Sequence, residues 1–131
     1  MALGKLKQVK NSSRRFGAVG SYWFLKTQAD YGQEEYWLVT EAERQKFRAR
    51  AARNPEDTPD RRRGVYTVVE NKKRVFGSDV SYFAVEVASP DREREDWFMT
   101  AYELERLRER AEKNKEDIDA NKEKWLADLL D

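Results

Sequence analysis

The sequence predicts an α+β fold made of two tandem βββα units with pseudo-two-fold symmetry, followed by a C-terminal helical extension. Two observations carry this. The 131-residue chain, laid over itself at an offset of 60, aligns without a gap from residues 4–57 onto residues 64–117. In both copies an apolar strand runs directly into Thr-x-x-Glu and then into a charged, helix-favouring segment: Tyr36-Trp37-Leu38-Val39-Thr40-Glu41-Ala42-Glu43 and Asp96-Trp97-Phe98-Met99-Thr100-Ala101-Tyr102-Glu103. The Thr hydroxyl can accept from the N–H three residues on while the Glu reaches back to the Thr N–H, a capping box that marks a strand-to-helix junction. A junction that recurs at a fixed spacing is a structural repeat.

The elements follow in order. Strand one is expected near residues 5–10 and 65–69, each followed by a polar turn (Asn11-Ser12-Ser13; Asn71-Lys72-Lys73) that closes a hairpin. Phe16-Gly17 and Phe76-Gly77 precede strand two, expected at residues 21–27 and 81–88, and the Trp37 and Trp97 segments form strand three. The first helix starts at Thr40, presents Phe47 and Ala51 four apart, and stops at Asn54-Pro55, since Asn tolerates a left-handed cap and Pro cannot continue. Residues 58–63 are a linker, residues 64–117 the second unit, and residues 118–131 a C-terminal helix, both units sharing one compact domain. In the second unit Lys115 replaces Pro55, so its helix either runs on for about 30 residues, about 45 Å, or breaks at Asn114. The acidic run Glu116-Asp117 with Asp119 favours a new helix start. The predicted core is Val9, Tyr22, Phe24, Trp37, Val39, Phe47, Ala51, Val69, Tyr82, Ala84, Trp97, Met99, Leu104, Leu107 and Ala111. A lone unit buries too little apolar area to be stable.

Composition bounds the chemistry. There is no Cys, so no disulfide or thiol nucleophile, and no His, the side chain most used as a general base. Net charge is +1, which opposes both a DNA mimic and a wholly basic binder, although the charge is unevenly spread: +5 over residues 1–30 and 61–77, −7 over residues 78–131. No stretch approaches the ~20 apolar residues of a membrane span, and the first residues lack a signal-peptide run, so a cytoplasmic protein without membrane contact is expected. Carboxylate pairs (Glu34-Glu35, Glu93 and Glu95-Asp96, Glu116-Asp117) lie in turns or at helix starts, where acids are ordinary. No phosphate-cradling glycine loop is present. The expectation is a non-enzymatic protein with no cofactor and no metal.

Two sets of residues are binding candidates. Trp125, Leu126 and Leu129 form an apolar face with Ile118 on an otherwise charged helix. That face either closes the core or docks a partner or a second copy, giving a homodimer through the C-terminal helix. Arg44, standing where the second unit has Leu104, either lays its stem along a helix edge or joins the partner contact. The second set is basic: Lys10, Arg14 and Arg15 at one hairpin tip, Lys72, Lys73 and Arg74 at the other, with Arg61, Arg62 and Arg63 assisting. These could grip phosphates, with Tyr22, Trp23, Tyr82 and Phe83 as stacking faces. The competing explanation is that Lys and Arg on strand edges only prevent sheet-to-sheet pairing and that the aromatics are core.

The unit, with Trp37–Thr40 followed by Arg53-Asn54-Pro55-Glu56-Asp57 and Trp97–Thr100 followed by Asn114, resembles small accessory proteins of tailed phages. The resemblance implies a protein made in infection that binds a host protein and inhibits or redirects it in the host cytoplasm, and it transfers no site residues. The order of elements is also similar to the intertwined repeats of the PUR family, which implies nucleic-acid binding. That family has a fourth strand per repeat, for which this sequence shows no place.

Overall fold

The computed structural model describes residues 4–10, 21–28, 34–55, 66–70, 81–88 and 94–127, with side chains described within 21–28, 34–55, 81–88 and 94–124. The fold is mixed α+β: β1 (Gly4–Lys10), β2 (Ser21–Gln28), β3 (Glu34–Val39), α1 (Glu41–Arg53), β4 (Tyr66–Glu70), β5 (Ser81–Ala88), β6 (Arg94–Met99), α2 (Ala101–Lys113) and α3 (Lys115–Ala127). Strand β2 is flanked by β1 and β3, both antiparallel, with Trp23 opposite Gln8 and Val39. Strand β5 is flanked in the same way by β4 and β6, with Phe83 opposite Val68 and Met99. A short parallel pairing of Gly4 and Lys5 with Val87 and Ala88 joins the two arrays.

Successive side chains on a strand point to opposite faces, and here both faces of the central strands are covered. On one, Trp23, Leu25, Trp37 and Val39 meet Val85, Val87, Trp97 and Met99, with Phe47 from α1 and Leu104 and Leu107 from α2. This cluster draws on both halves of the chain. On the other face lie two smaller clusters, Tyr22, Phe24 and Leu38 under Ile118, and Tyr82, Ala84 and Phe98 beside Ala51. The residues expected in the core whose side chains are described are buried, except that Ala111 is half-buried. Trp23, Leu25, Val85 and Val87 join them in the first cluster, and Leu38, Phe98 and Ile118 on the opposite face, because both faces of the strands are covered.

The helices cross over. α1 packs on β6 and α2 on β3, so each helix lies mainly on a strand from the other half of the chain. Both start from the expected capping box. The Glu43 and Glu103 N–H groups donate to the Thr40 and Thr100 hydroxyls at 3.2 and 3.1 Å, and the Thr N–H groups donate back to the Glu carboxylates at 2.9 Å. The helix ends differ from expectation in one respect. Asn54 and Asn114 sit at φ −135° and −112°, outside the left-handed region. They cap instead by donating Nδ2 to the Arg50 and Arg110 carbonyls, at 2.9 and 2.8 Å. At Asn114 the helix breaks, and its carbonyl accepts from Ile118 N–H at 2.9 Å to start α3. α3 therefore begins three residues before the boundary expected at residue 118.

One buried group is out of place. Thr27 is 1% exposed and its hydroxyl has no hydrogen-bond partner among the described residues. The position 60 residues on is Val87, buried and of the same shape. An unsatisfied buried hydroxyl costs about 1–3 kcal/mol. Thr27→Val is expected to raise the unfolding free energy by about 1 kcal/mol, read as a higher denaturant midpoint at unchanged slope. A lower midpoint would mean that the hydroxyl is satisfied in solution.

Candidate functional site

α1 buries only Phe47, Ala51 and Arg44, too little apolar surface to fix its position alone. Charge does the rest. Near the end of α1, Arg50 donates to Glu103 through both terminal nitrogens, one at 2.9 Å, and to the Phe98 carbonyl at 3.3 Å. Near the end of α2, Arg110 donates to Glu43 at 2.7 and 2.9 Å and to the Leu38 carbonyl at 2.8 Å. Each residue of one clasp stands 60 positions from its counterpart in the other (50 and 110, 43 and 103, 38 and 98). Glu43 and Glu103 are also the capping-box acids, so the carboxylate that starts one helix holds the end of the other. Bidentate guanidinium–carboxylate pairs of this kind are both strong and directional.

A second pair of carboxylates is held at the strand starts. Glu35 accepts from Trp37 Nε1 at 3.0 Å and from Arg108 at 3.0 and 2.8 Å. Glu95 accepts from Trp97 Nε1 at 3.0 Å, lies 3.6 Å from Arg48, and takes a bidentate pair from Arg44. Arg44 is 9% exposed, with its guanidinium 4.5 Å from the centre of the Trp23 ring. Neither the expected helix-edge stem nor a partner contact describes it: the guanidinium faces the interior and is committed to Glu95.

The other expected residues distribute as follows. Tyr22, Trp23 and Tyr82 are buried and Phe83 packs against the core, so the strand aromatics are core and not stacking faces. Lys10 ends β1, and its side chain lies outside the described residues, as do Arg14, Arg15, Arg61, Arg62, Arg63, Lys72, Lys73 and Arg74. Ile118, at 4% exposed, closes the core over Tyr22, Phe24 and Leu38. The backbone of α3 includes Trp125 and Leu126, whose side chains lie outside the described residues, as does Leu129.

Beside α3 the chain forms an open groove of about 640 Å³ between the start of β3, the second half of α2 and the first turns of α3. Tyr36, Ala111 and Ile118 contribute its apolar lining, and the ion pair of Glu35 with Arg108 lies at its edge. Lys122 Nζ sits 5.4 Å from the centre of the Tyr36 ring and 3.4 Å from Asp119, and Glu112 and Lys115 complete the wall. The sequence carries a signal at Tyr36: it departs from the repeat, standing where the second half has Asp96.

Among the described residues no group of three or more Asp or Glu side chains is arranged to hold a metal ion, and no helix is long and apolar enough to cross a membrane. No protein-family model, curated protein or solved structure matches the chain.

The clasps set a pH dependence. Burial raises the Glu103 carboxyl, but hydrogen bonds from Arg50, the Thr100 N–H and Lys46 outweigh it and hold the group at about 2. Burial likewise opposes ionisation of Glu43, and Arg110 with Thr40 holds it below the usual carboxylate range. A depressed folded-state pKa contributes stability above the unfolded value of about 4.3, and that contribution is lost as pH falls through the folded value. Wild-type stability is therefore expected to fall between about pH 5 and pH 2. Glu103→Gln should cost about 2 kcal/mol at pH 7 and flatten that fall, as measured by denaturant midpoints across pH. Parallel curves for the two proteins would remove Glu103 from the clasp.

Proposed function

We propose that the chain is a non-enzymatic binding protein of the phage accessory type. In this reading two βββα units, related by a pseudo-two-fold axis, form a scaffold that holds a host protein at α3 and the adjoining groove, and so inhibits or redirects it. The observation that carries the reading is α3 itself. Among the described residues it has no counterpart after α1, and together with β3 and α2 it walls a groove that mixes an aromatic ring, aliphatic side chains and both signs of charge. Such a mixture suits a peptide or helix surface, where apolar anchors sit inside a polar rim. The carboxylates that a catalytic reading would need, Glu35, Glu43, Glu95 and Glu103, are instead engaged by arginines in holding the helices. Supporting the two-unit reading, the β2–β3 and β5–β6 pairings share one register at the 60-residue offset.

The test uses Trp125→Ala with Leu129→Ala. The double variant is expected to lose at least tenfold in capture of a host protein from bacterial lysate while its Tm stays within about 2 °C of wild type. A collapsed Tm would make that face core, and undiminished capture would move the interface elsewhere.

A second reading, nucleic-acid binding in the host cytoplasm, is favoured by the strand pairing. Lys10 pairs with Ser21 and Glu70 with Ser81, so the segments carrying Arg14, Arg15, Lys72, Lys73 and Arg74 connect corresponding strand ends in the two halves. Under this reading an oligonucleotide binds with an affinity that falls steeply with salt. Arg14→Glu with Arg74→Glu should then abolish binding at low ionic strength in a fluorescence titration. Absence of any wild-type binding at low salt would leave the basic residues as edge protection alone.

A further inference from the structure

We propose that the chain also assembles as an exchanged homodimer, in which the first unit of each copy closes on the second unit of its partner. The inference rests on the two-unit reading above, and its occupant is a second copy of this chain. The contacts that close the monomer all run between the halves. α1 lies on β6 and α2 on β3. Arg50 meets Glu103, Arg110 meets Glu43, Arg44 meets Glu95 and Arg108 meets Glu35. None of these pairs depends on both partners belonging to one chain.

The halves are joined between α1 and β4 through a segment containing Thr58-Pro59-Asp60-Arg61-Arg62-Arg63. By sequence these residues carry three adjacent arginines and no aliphatic or aromatic side chain. Residues 56–65, drawn out, can span roughly 33 Å. In the exchanged dimer every clasp and both helix-on-strand contacts are remade between chains. The two assemblies then differ only in the path of the connection and in the entropy of association. Tethering favours the closed monomer in dilute solution, while high concentration or a shortened connection favours exchange. Charge complementarity fixes how the copies meet, since each clasp needs an arginine from one half and a glutamate from the other.

The test reverses the clasps in two full-length chains. One carries Arg50→Glu and Arg110→Glu, the other Glu43→Arg and Glu103→Arg. Closed on itself, each variant sets like charges against each other at both clasps. In the exchanged heterodimer, substituted position 50 of the first chain meets substituted position 103 of the second, substituted position 110 of the first meets substituted position 43 of the second, and the two remaining clasps are wild type.

Refolded separately, each chain should be monomeric or unfolded with a Tm well below wild type. Refolded together in equal amounts, they should give a species of twice the monomer mass by light scattering, with a Tm above that of either chain alone and below wild type, since one chain lacks both capping-box glutamates. Destabilised chains that stay monomeric when mixed would overturn the exchange while leaving the clasps standing. Separate chains that melt like wild type would overturn the clasps and the two-unit reading with them. Should neither variant fold, alone or mixed, deletion of residues 58–63 from the wild-type chain decides the matter: a dimer upholds the proposal and a monomer refutes it.

Discussion

Glu43 and Glu103 each serve two helices at once, and the rest of the structure depends on that double use. Within its own helix each carboxylate receives the N-cap N–H and sits in the first turn, where the helix dipole favours negative charge. Across the molecule it receives an arginine from the last turn or so of the other helix, where the dipole favours positive charge. The same arginines satisfy the Phe98 and Leu38 carbonyls near the ends of β6 and β3. Helix start, helix end and strand end are thereby tied at one point in each half. Local capping and tertiary closure become a single cooperative event, because neither helix can shift without breaking the other's anchor.

Where the halves differ, they differ in matched sets. Trp23 brings an indole N–H that needs an acceptor, and Glu41 accepts it at 2.6 Å. Glu41 in turn faces Arg44, whose guanidinium covers the Trp23 ring and pairs with Glu95. The corresponding positions in the second half are Phe83, Ala101 and Leu104, apolar throughout. Likewise Lys26 with Glu34 at 3.4 Å is mirrored by Glu86 with Arg94 at 2.6 Å, the same pair with its signs exchanged. A buried charge or strong hydrogen-bonding group is costly without its partner, so at these positions divergence moves whole pairs, unlike the single hydroxyl of Thr27 against Val87. These substitutions leave each half satisfied rather than adding a free reactive group.

A chain with 39% charged residues looks, by composition, like a densely charged surface around a small core. A few of those charges lie inside. Arg44, Glu86 and Glu95 are buried, and Arg50 and Arg110 are largely covered. Exposed large apolar side chains are scarce among the described residues, Tyr102 at 70% being the one found. The groove at α3 is where aliphatic, aromatic and charged groups meet in the open, which is why the proposed partner contact is placed there.

The sequence by itself determined the order of elements, both capping boxes and one buried face of β2, β3, β5 and β6; at Asn114 it left a continuous helix and a break both open, the acidic run favouring the break. These follow from local chemistry: side-chain alternation, a hydroxyl three residues before a carboxylate, an Asn followed by an acidic run. It also named Ile118 as part of an apolar face and Arg44 as a departure from the repeat. Only the tertiary structure decided what these meet. A repeat says that Arg50 and Arg110 are equivalent, but either could reach the capping glutamate of its own half or of the other, and periodicity carries no information about that choice. Burial of the second strand face was hidden for the same reason. Whether Leu38 or Phe98 faces water depends on which helix crosses above it, and α1 and α2 cross to the opposite halves. The groove beside Tyr36 arises where three separated segments converge, and convergence is a property of packing that no window of sequence contains.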